Sequence, residues 1–194
     1  MGFSEVTAPV RRALELEDAK RRLGIDDDPD HPEDEILKGY LDAAIRFVQN
    51  DLNRQLVTAT LKMTMNRFPP TEIQLERPPF QSLTTFQYID VDGNTQTVSS
   101  ALYGTQTDVE PGTIYLLADQ SWPDVDDERD VVIINYKAGY GDDPATVPET
   151  MKTAIAMFAG HWYANRESVT DERLMPVPQA YEALIWQERN TFVA

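Results

Sequence analysis

The stretch IRFVQNDLNRQLVTATLKMTM, residues 45–65, changes its hydrophobic period partway along its length. Up to Leu52 the apolar residues recur every three or four positions, which is typical of one face of an α-helix. From Val57 onward they alternate with polar residues, as in a strand that is buried on one side. The sequence therefore predicts a helix followed directly by a β-strand, and this junction separates a helical part from a β part.

Two helices are predicted before this junction. The first covers LEDAKRRLGI, residues 16–25, where Gly24 suits a left-handed C-terminal cap. The second begins with Glu33, Asp34 and Glu35, acids that complement the helix dipole in a first turn. Its continuous apolar stripe consists of Ile36, Leu37, Tyr40, Leu41, Ala44, Ile45, Val48 and Leu52.

After the junction, residues 57–140 predict an antiparallel β region. Single strands are expected at residues 57–66, 73–75, 113–119 and 129–140. Residues 83–98 predict a hairpin whose turn is Asp92-Gly93. Its first strand carries Phe86, Tyr88 and Val91.

Helices return after the β region. Thr146 and Glu149 predict a capping box, with Pro148 in the first helical turn. The apolar face of this helix consists of Met151, Ala154, Ile155, Phe158 and Trp162. A last short helix groups Tyr181, Leu184 and Ile185.

These elements predict an α+β fold in a single domain of residues 1–194. The helical parts, at about residues 14–56 and 146–190, are expected to form a helical bundle. The antiparallel β region at about residues 57–140 is expected as an insertion between them.

The composition of the chain excludes several kinds of site. It has no cysteine, so a disulfide, a thiolate nucleophile and a cysteine-ligated metal are impossible. The first twenty residues lack the basic head and apolar core of a secretory signal. No apolar run reaches the roughly 20 residues that span a bilayer. We expect a soluble protein that is made in the cytoplasm.

The acidic residues are concentrated in two runs, and the formal net charge is −16. Such a chain repels nucleic acid at long range, because phosphate binding depends on Lys and Arg. Both runs predict solvated loops, and the alternative is a surface past which DNA moves without binding. The candidate residues are Asp26, Asp27 and Asp28 in the run 26–35, and Asp126 and Asp127 in the run 119–130.

No motif predicts a catalytic, metal or cofactor site. DVDGN at residues 90–94 lacks the later glycine and glutamate of a calcium loop, so a β-turn explains it better. KAGYG at residues 137–141 lacks the spacing of a phosphate-binding loop. His161 has no second histidine at helical spacing. A helix-surface histidine that bonds to its neighbour Asn165 is the simpler interpretation.

Aromatic and charged side chains beside His161 are candidate interface residues. Tyr163 and Arg166 lie off the main apolar stripe, and Glu167 lies on its polar rim. Large aromatics and arginines outside a core are typical anchors of protein–protein contacts. This stretch therefore predicts a surface that holds a neighbouring element or subunit.

Several segments, taken in order, resemble the head–tail connector (adaptor) proteins of tailed bacteriophages and gene transfer agents. The N-terminal pattern consists of Leu16, Ala19, Lys20 and Leu23, then an acidic turn, then Ala43–Ile45. The C-terminal pattern consists of VVIINYKAGYG at residues 131–141 and VPETMKTAIAMFAGHWYANRES at residues 147–168. The ordered set covers nearly the whole chain.

The resemblance implies a structural protein of the virion neck, without enzymatic activity or a cofactor, made in the host cytoplasm. Members form a ring, commonly twelve-fold, beneath the portal protein and present a platform to the stopper or tail-completion protein. Double-stranded DNA passes through the ring without sequence-specific binding. The resemblance also implies portal contacts near the C-terminus, which we assign to Tyr181, Trp186 and Arg189. The alternatives are another neck or tail-completion protein and a soluble hydrolase that uses His161.

Overall fold

The computed structural model describes residues 2–25, 31–165, 179–186 and 188, which form helices and antiparallel sheets. The predicted α+β class is confirmed. The chain divides into two compact units. The β unit contains residues up to 9 and residues 53–140, and the helical unit contains residues 10–52 and 141–189. The assignment of one domain to the whole chain stays a prediction.

The described part of the helical unit contains four α-helices. They are α1 (Leu16–Leu23), α2 (Asp34–Leu52), α3 (Glu149–Ala164) and α4 (Gln179–Ile185), with a 3₁₀ turn at Pro144–Thr146. The buried residues of α2 are Leu37, Leu41, Ala44, Val48 and Leu52. These five residues belong to the predicted apolar stripe. The inclusion of Ile36 in that stripe is wrong, because 47% of its surface is exposed.

Aromatic rings of α2, α3 and α4 pack against one another in the helical unit, where Phe158 and Tyr181 are buried and Phe47 is partly exposed. The ring centroid of Phe158 lies 4.4 Å from that of Phe47 and 4.6 Å from that of Tyr181. Trp162 is half-buried at the edge of this group, 5.5 Å from Phe158. Offset and edge-on ring pairs add about 0.5–1.5 kcal/mol each beyond area burial. The prediction that Phe158 and Trp162 face inward is confirmed.

One predicted helix end is confirmed. At the end of α1, Gly24 has φ 67°, and its N–H points to the carbonyls of Arg21 and Lys20. Glycine adopts this left-handed conformation readily, whereas residues with a Cβ atom disfavour it.

The predicted start of α3 is wrong. Thr146 lies in the 3₁₀ turn, where its hydroxyl donates to the carbonyl of Asp143 at 2.6 Å. It does not cap α3, which begins after Pro148 without a side-chain cap. Glu149 instead contacts Arg22 of α1 at 2.7 Å. The helix start is thus held by an ion pair rather than by a capping box.

The β unit contains two antiparallel sheets. The strands are β1 (Gly2–Thr7), β2 (Ala59–Met65), β3 (Glu72–Gln74), β4 (Phe80–Ile89), β5 (Thr95–Thr97), β6 (Tyr103–Gln106), β7 (Thr113–Leu116) and β8 (Val132–Ala138). The five-stranded sheet has the order β1-β2-β8-β4-β5, and the three-stranded sheet has the order β3-β7-β6. The sequence analysis did not predict β1 and β6.

The five-stranded sheet has a buried inner face and an open outer face. Along β2, Leu61 and Met63 are buried, whereas the alternate residues Lys62 and Thr64 are half-buried. The strand β8 alternates in the same way, with Ile134 buried at the inner face. This is the period of two that the alternating sequence predicts.

The hairpin of β4 and β5 turns at the predicted Asp92-Gly93. Gly93 has φ 80°, and its N–H donates to the carbonyl of Asp90 at 2.9 Å. The prediction that Val91 belongs to the strand is wrong, because it lies in the turn with 66% of its surface exposed.

Candidate interface surfaces

Two tyrosines that were predicted at an interface bind carboxylates within the helical unit. Tyr163 of α3 donates a hydrogen bond to Glu33, just before α2. Tyr181 of α4 donates to Asp51, near the C-terminal end of α2. Tyr181 is 1% exposed, so its side chain as described serves the interior of the unit. The interface roles of both tyrosines stay predictions.

Trp186 is the predicted interface residue that the structure leaves most open. It follows the last residue of α4, and 73% of its surface is exposed. Exposing so large an apolar surface to water is unfavourable, and such residues are common anchors of protein contacts. The position is compatible with a contact, and its assignment to the portal stays a prediction.

Several predicted site residues lie outside the described residues. They are the interface candidates Arg166, Glu167 and Arg189, and the acidic candidates Asp26, Asp27 and Asp28.

The described acidic run lies against one end of the five-stranded sheet. The N–H of Asp126 donates to the carbonyl of Ile89, where β4 ends, at 3.1 Å. Trp122, earlier in the same run, stacks on Phe68 with ring centroids 4.9 Å apart. These contacts hold the run in place, while Asp126 is half-buried and Asp127 is exposed.

Other acids gather at the same end of the sheet. Asp130 accepts a hydrogen bond from Thr64 of β2 at 2.6 Å, and Asp90 lies in the turn after β4. Hydrogen bonds from Gln96, Asn94 and Asp92 lower the pKa of Asp90, so this carboxyl stays ionised. We call this group the acidic end; its members are Asp90, Asp92, Asp126, Asp127, Glu128 and Asp130.

Among the described residues, the structure brings together no obvious catalytic or metal-binding set. His161 lies in the last turn of α3, and the side-chain amide of Asn165 donates to its carbonyl at 2.7 Å. No group of three or more His, Asp or Glu side chains in the described ranges could hold a metal ion. No described helix is both long enough and apolar enough to cross a membrane.

A cavity of about 350 Å³ in the helical unit is lined by charges of both signs. Arg11 contacts Glu15 at 2.9 Å and Asp143 at 3.5 Å. Arg21 contacts Asp18 at 2.8 Å. Because these charges bind one another, the cavity is better explained by ion pairs between elements than by a ligand.

Three solved structures with this fold come from gene transfer agent particles. One is a chain in the neck of an empty particle computed with C6 symmetry, 23% identical with a TM-score of 0.83. Another is in the neck of a native particle computed with C12 symmetry, 21% identical with a TM-score of 0.79. A third is in the virion of a native particle, 24% identical with a TM-score of 0.79. Each match covers 100% of this chain and 98% of the other. The class of fold is therefore that of these neck and virion chains.

The chain belongs to the head completion protein family, whose profile matches residues 14–172. This match confirms the resemblance that the ordered sequence segments carry. Among curated proteins, none matches the chain.

Proposed function

We propose that this chain is a structural head–tail connector (adaptor) subunit of a virion neck. The observation that carries the proposal is the family match over residues 14–172, together with the same fold in neck chains over the full length. In this proposal the chain acts as one connector domain, in which the N- and C-terminal helices form a bundle and the β region is the insertion. It is made in the host cytoplasm and has no enzymatic role.

The proposed assembly is a closed ring of identical subunits beneath the portal protein. The C12 symmetry applied to one neck of this fold supports twelve copies. The ring joins the DNA-filled head to the stopper or tail-completion protein. Trp186, exposed at the end of α4, is the described residue best placed to anchor the portal contact. Tyr181 supports that contact from within by holding α4 against α2.

The acidic end of the β unit supports passage of DNA without binding. A ring with net negative charge repels the phosphate backbone, so double-stranded DNA moves past without being held. Asp126 and Asp127 are the described candidates for such a surface. If a map of the assembled ring placed both residues on its outside, away from the channel, this part of the proposal would be wrong.

Imaging the purified chain with the portal protein of the same particle tests the proposal. We expect cryo-electron microscopy to show a ring of this chain on the portal. Replacing Trp186 with alanine should reduce the occupancy of the ring. The matched control is Val10→Ala, which removes an apolar side chain that is 98% exposed and lies outside the surfaces assigned to the ring. A wild-type chain that never binds the portal would contradict the proposal.

His161 separates the connector from the hydrolase alternative. Under our proposal, His161→Ala leaves ring formation unchanged, since this side chain lies on the surface of α3 beside Asn165. Under the alternative, the wild-type chain hydrolyses an ester or amide probe and the variant does not. Detection of such an activity, lost in the variant, would favour the enzyme.

A further inference from the structure

The outer face of the five-stranded sheet is open, and the charged strand residues on it are both lysines. Its side chains lie at positions that pair across the strands, and each is half-buried or exposed. We define the outer face by Ser4, Thr60, Lys62, Thr64, Ser82, Thr85, Gln87, Thr97, Ile133, Asn135 and Lys137. In a chain of net charge −16, this face contains two lysines and no acid.

The two lysines are close neighbours on the face. Lys62 of β2 pairs with Asn135 of β8, and Lys137 lies two residues further along β8. Such diagonal neighbours have Cα atoms about 7–8 Å apart. The two side chains carry like charges, so no attraction between them explains why both lie on this face.

Within the described residues, neither lysine has an acidic partner. No ion pair joins Lys62 or Lys137 to a carboxylate. The carboxylate of Asp130, at the end of β2, accepts from Thr64 instead. The strands of this face thus contribute only positive charge to a strongly negative protein, and Asp130 of the acidic end lies at the edge of the face beside Thr64.

We propose that the outer face is the subunit interface that receives the acidic end of a neighbouring copy of this chain. The inference rests on the proposed ring, in which each subunit meets the next through two different surfaces. Charge complementarity selects the occupant, because Asp92 and Glu128 at the acidic end are exposed and bring two negative charges to the two lysines, while Asp126 and Asp127 stay candidates for the channel surface. Each copy offers both surfaces, so the contact repeats from subunit to subunit and closes a ring.

Charge-reversal variants of the full chain test the contact by sedimentation velocity at low and high salt. We expect K62E/K137E to weaken self-association by about tenfold or more, since like charges placed opposite one another across an interface repel. D92K/E128K should weaken it by a similar factor. The control K38E/R46E changes the charge by the same amount on α2 and should associate as the wild-type chain does.

Combining the reversals gives the decisive comparison. Each double variant alone places like charges across the contact, whereas K62E/K137E/D92K/E128K restores opposite charges with reversed polarity. We expect this quadruple variant to recover most of the wild-type association. A mixture of the two double variants should also associate better than either alone. Wild-type association should weaken between 0.05 M and 1 M salt, because the Debye length falls from about 14 Å to about 3 Å.

The outcomes separate this contact from the proposed function. If K62E/K137E self-associates as strongly as the wild-type chain, the contact is wrong, while a neck ring formed through other surfaces stands. If the wild-type chain is monomeric at every concentration and salt, the contact is also overturned, and portal imaging alone decides the function. K62Q/K137Q covers the case in which the reversal unfolds the sheet: a smaller loss of association supports the contact, and an unchanged association overturns it.

Discussion

The hydroxyl of Tyr181 donates a hydrogen bond to the carboxylate of Asp51, with 2.6 Å between Oη and Oδ2. The bond joins the buried aromatic ring of α4 to the C-terminal end of α2. Tyr163 makes the corresponding bond from α3 to Glu33, just before α2 begins. The two tyrosines that the sequence analysis assigned to an interface thus bind carboxylates at the two ends of α2.

Removing the Tyr181 hydroxyl should destabilise the helical unit. We expect Tyr181→Phe to lower the free energy of unfolding by about 1–2 kcal/mol, because Asp51 loses a charge-assisted hydrogen bond. Urea denaturation followed by circular dichroism measures the change. Tyr88→Phe in β4 serves as the matched control, and a loss in the control as large as in the variant would contradict the assignment.

Breaking the buried ion pair between α1 and α2 should destabilise the helical unit more than removing the Tyr181 hydroxyl does. Lys20 is 2% exposed, and its Nζ lies 2.6 Å from Oδ1 of Asp34. We expect Lys20→Met to cost about 3–5 kcal/mol, since it leaves a largely buried carboxylate without its cation. The double variant K20M/D34L should be more stable than K20M in the same denaturation assay. A double variant less stable than K20M would show that the pair is not the cause.

Stability at acid pH should depend on Glu149. Hydrogen bonds from Arg22, and then from Lys152, lower the pKa of this carboxyl. A lowered folded-state pKa contributes stability above the unfolded value of about 4.3, and this contribution is lost as the pH falls through the folded value. We therefore expect the urea midpoint to fall less steeply below pH 4.3 in Glu149→Gln than in the wild-type chain. Asp92→Asn is the control, and an unchanged slope in Glu149→Gln would count against the prediction.

Gly139 should tolerate no side chain where the chain leaves β8. Its φ is 130°, and an added Cβ would lie 2.6 Å from the backbone nitrogen of Thr58. We expect Gly139→Ala to cost about 2–4 kcal/mol, combining left-handed strain with a backbone clash. Gly93→Ala, at φ 80° with open space around it, should cost only about 1–2 kcal/mol. Thermal melting compares the two, and equal losses would show that the clash is relieved.

The long amphipathic helices and the central strands could be predicted because their burial follows a local period. In α2 the buried positions recur every three or four residues, and in β2 they recur every second residue. Gly24 likewise marks a helix end through its own backbone preference. Such features depend on residues that are near one another in the sequence, so they can be predicted without a structure.

The features that were missed depend on partners distant in the sequence. β1 is an edge strand with little buried surface, so its residues show no alternation, and its pairing with β2 spans more than fifty residues. Thr146 satisfied the capping-box pattern but bonds to Asp143. The acidic run was predicted as a loop, yet nothing local reveals that Asp126 bonds to Ile89. From the sequence alone, the outer face could be predicted only as a set of polar strand positions. Its two lysines become neighbours through the pairing of β2 with β8.

The passage of the chain between its two units has a kinetic consequence. Among the described residues the chain crosses between them three times, near residues 9, 52 and 140. The edge strand β1 can pair with β2 only after a segment containing α1 and α2 has closed into a loop. Closing a loop of this length lowers the entropy of the chain before the contacts of β1 with β2 can form. Pairing between residues so distant in the sequence therefore slows folding. We therefore expect β1 to pair with β2 late in folding. Until it does, the edge of β2 in a newly made subunit is exposed to solvent.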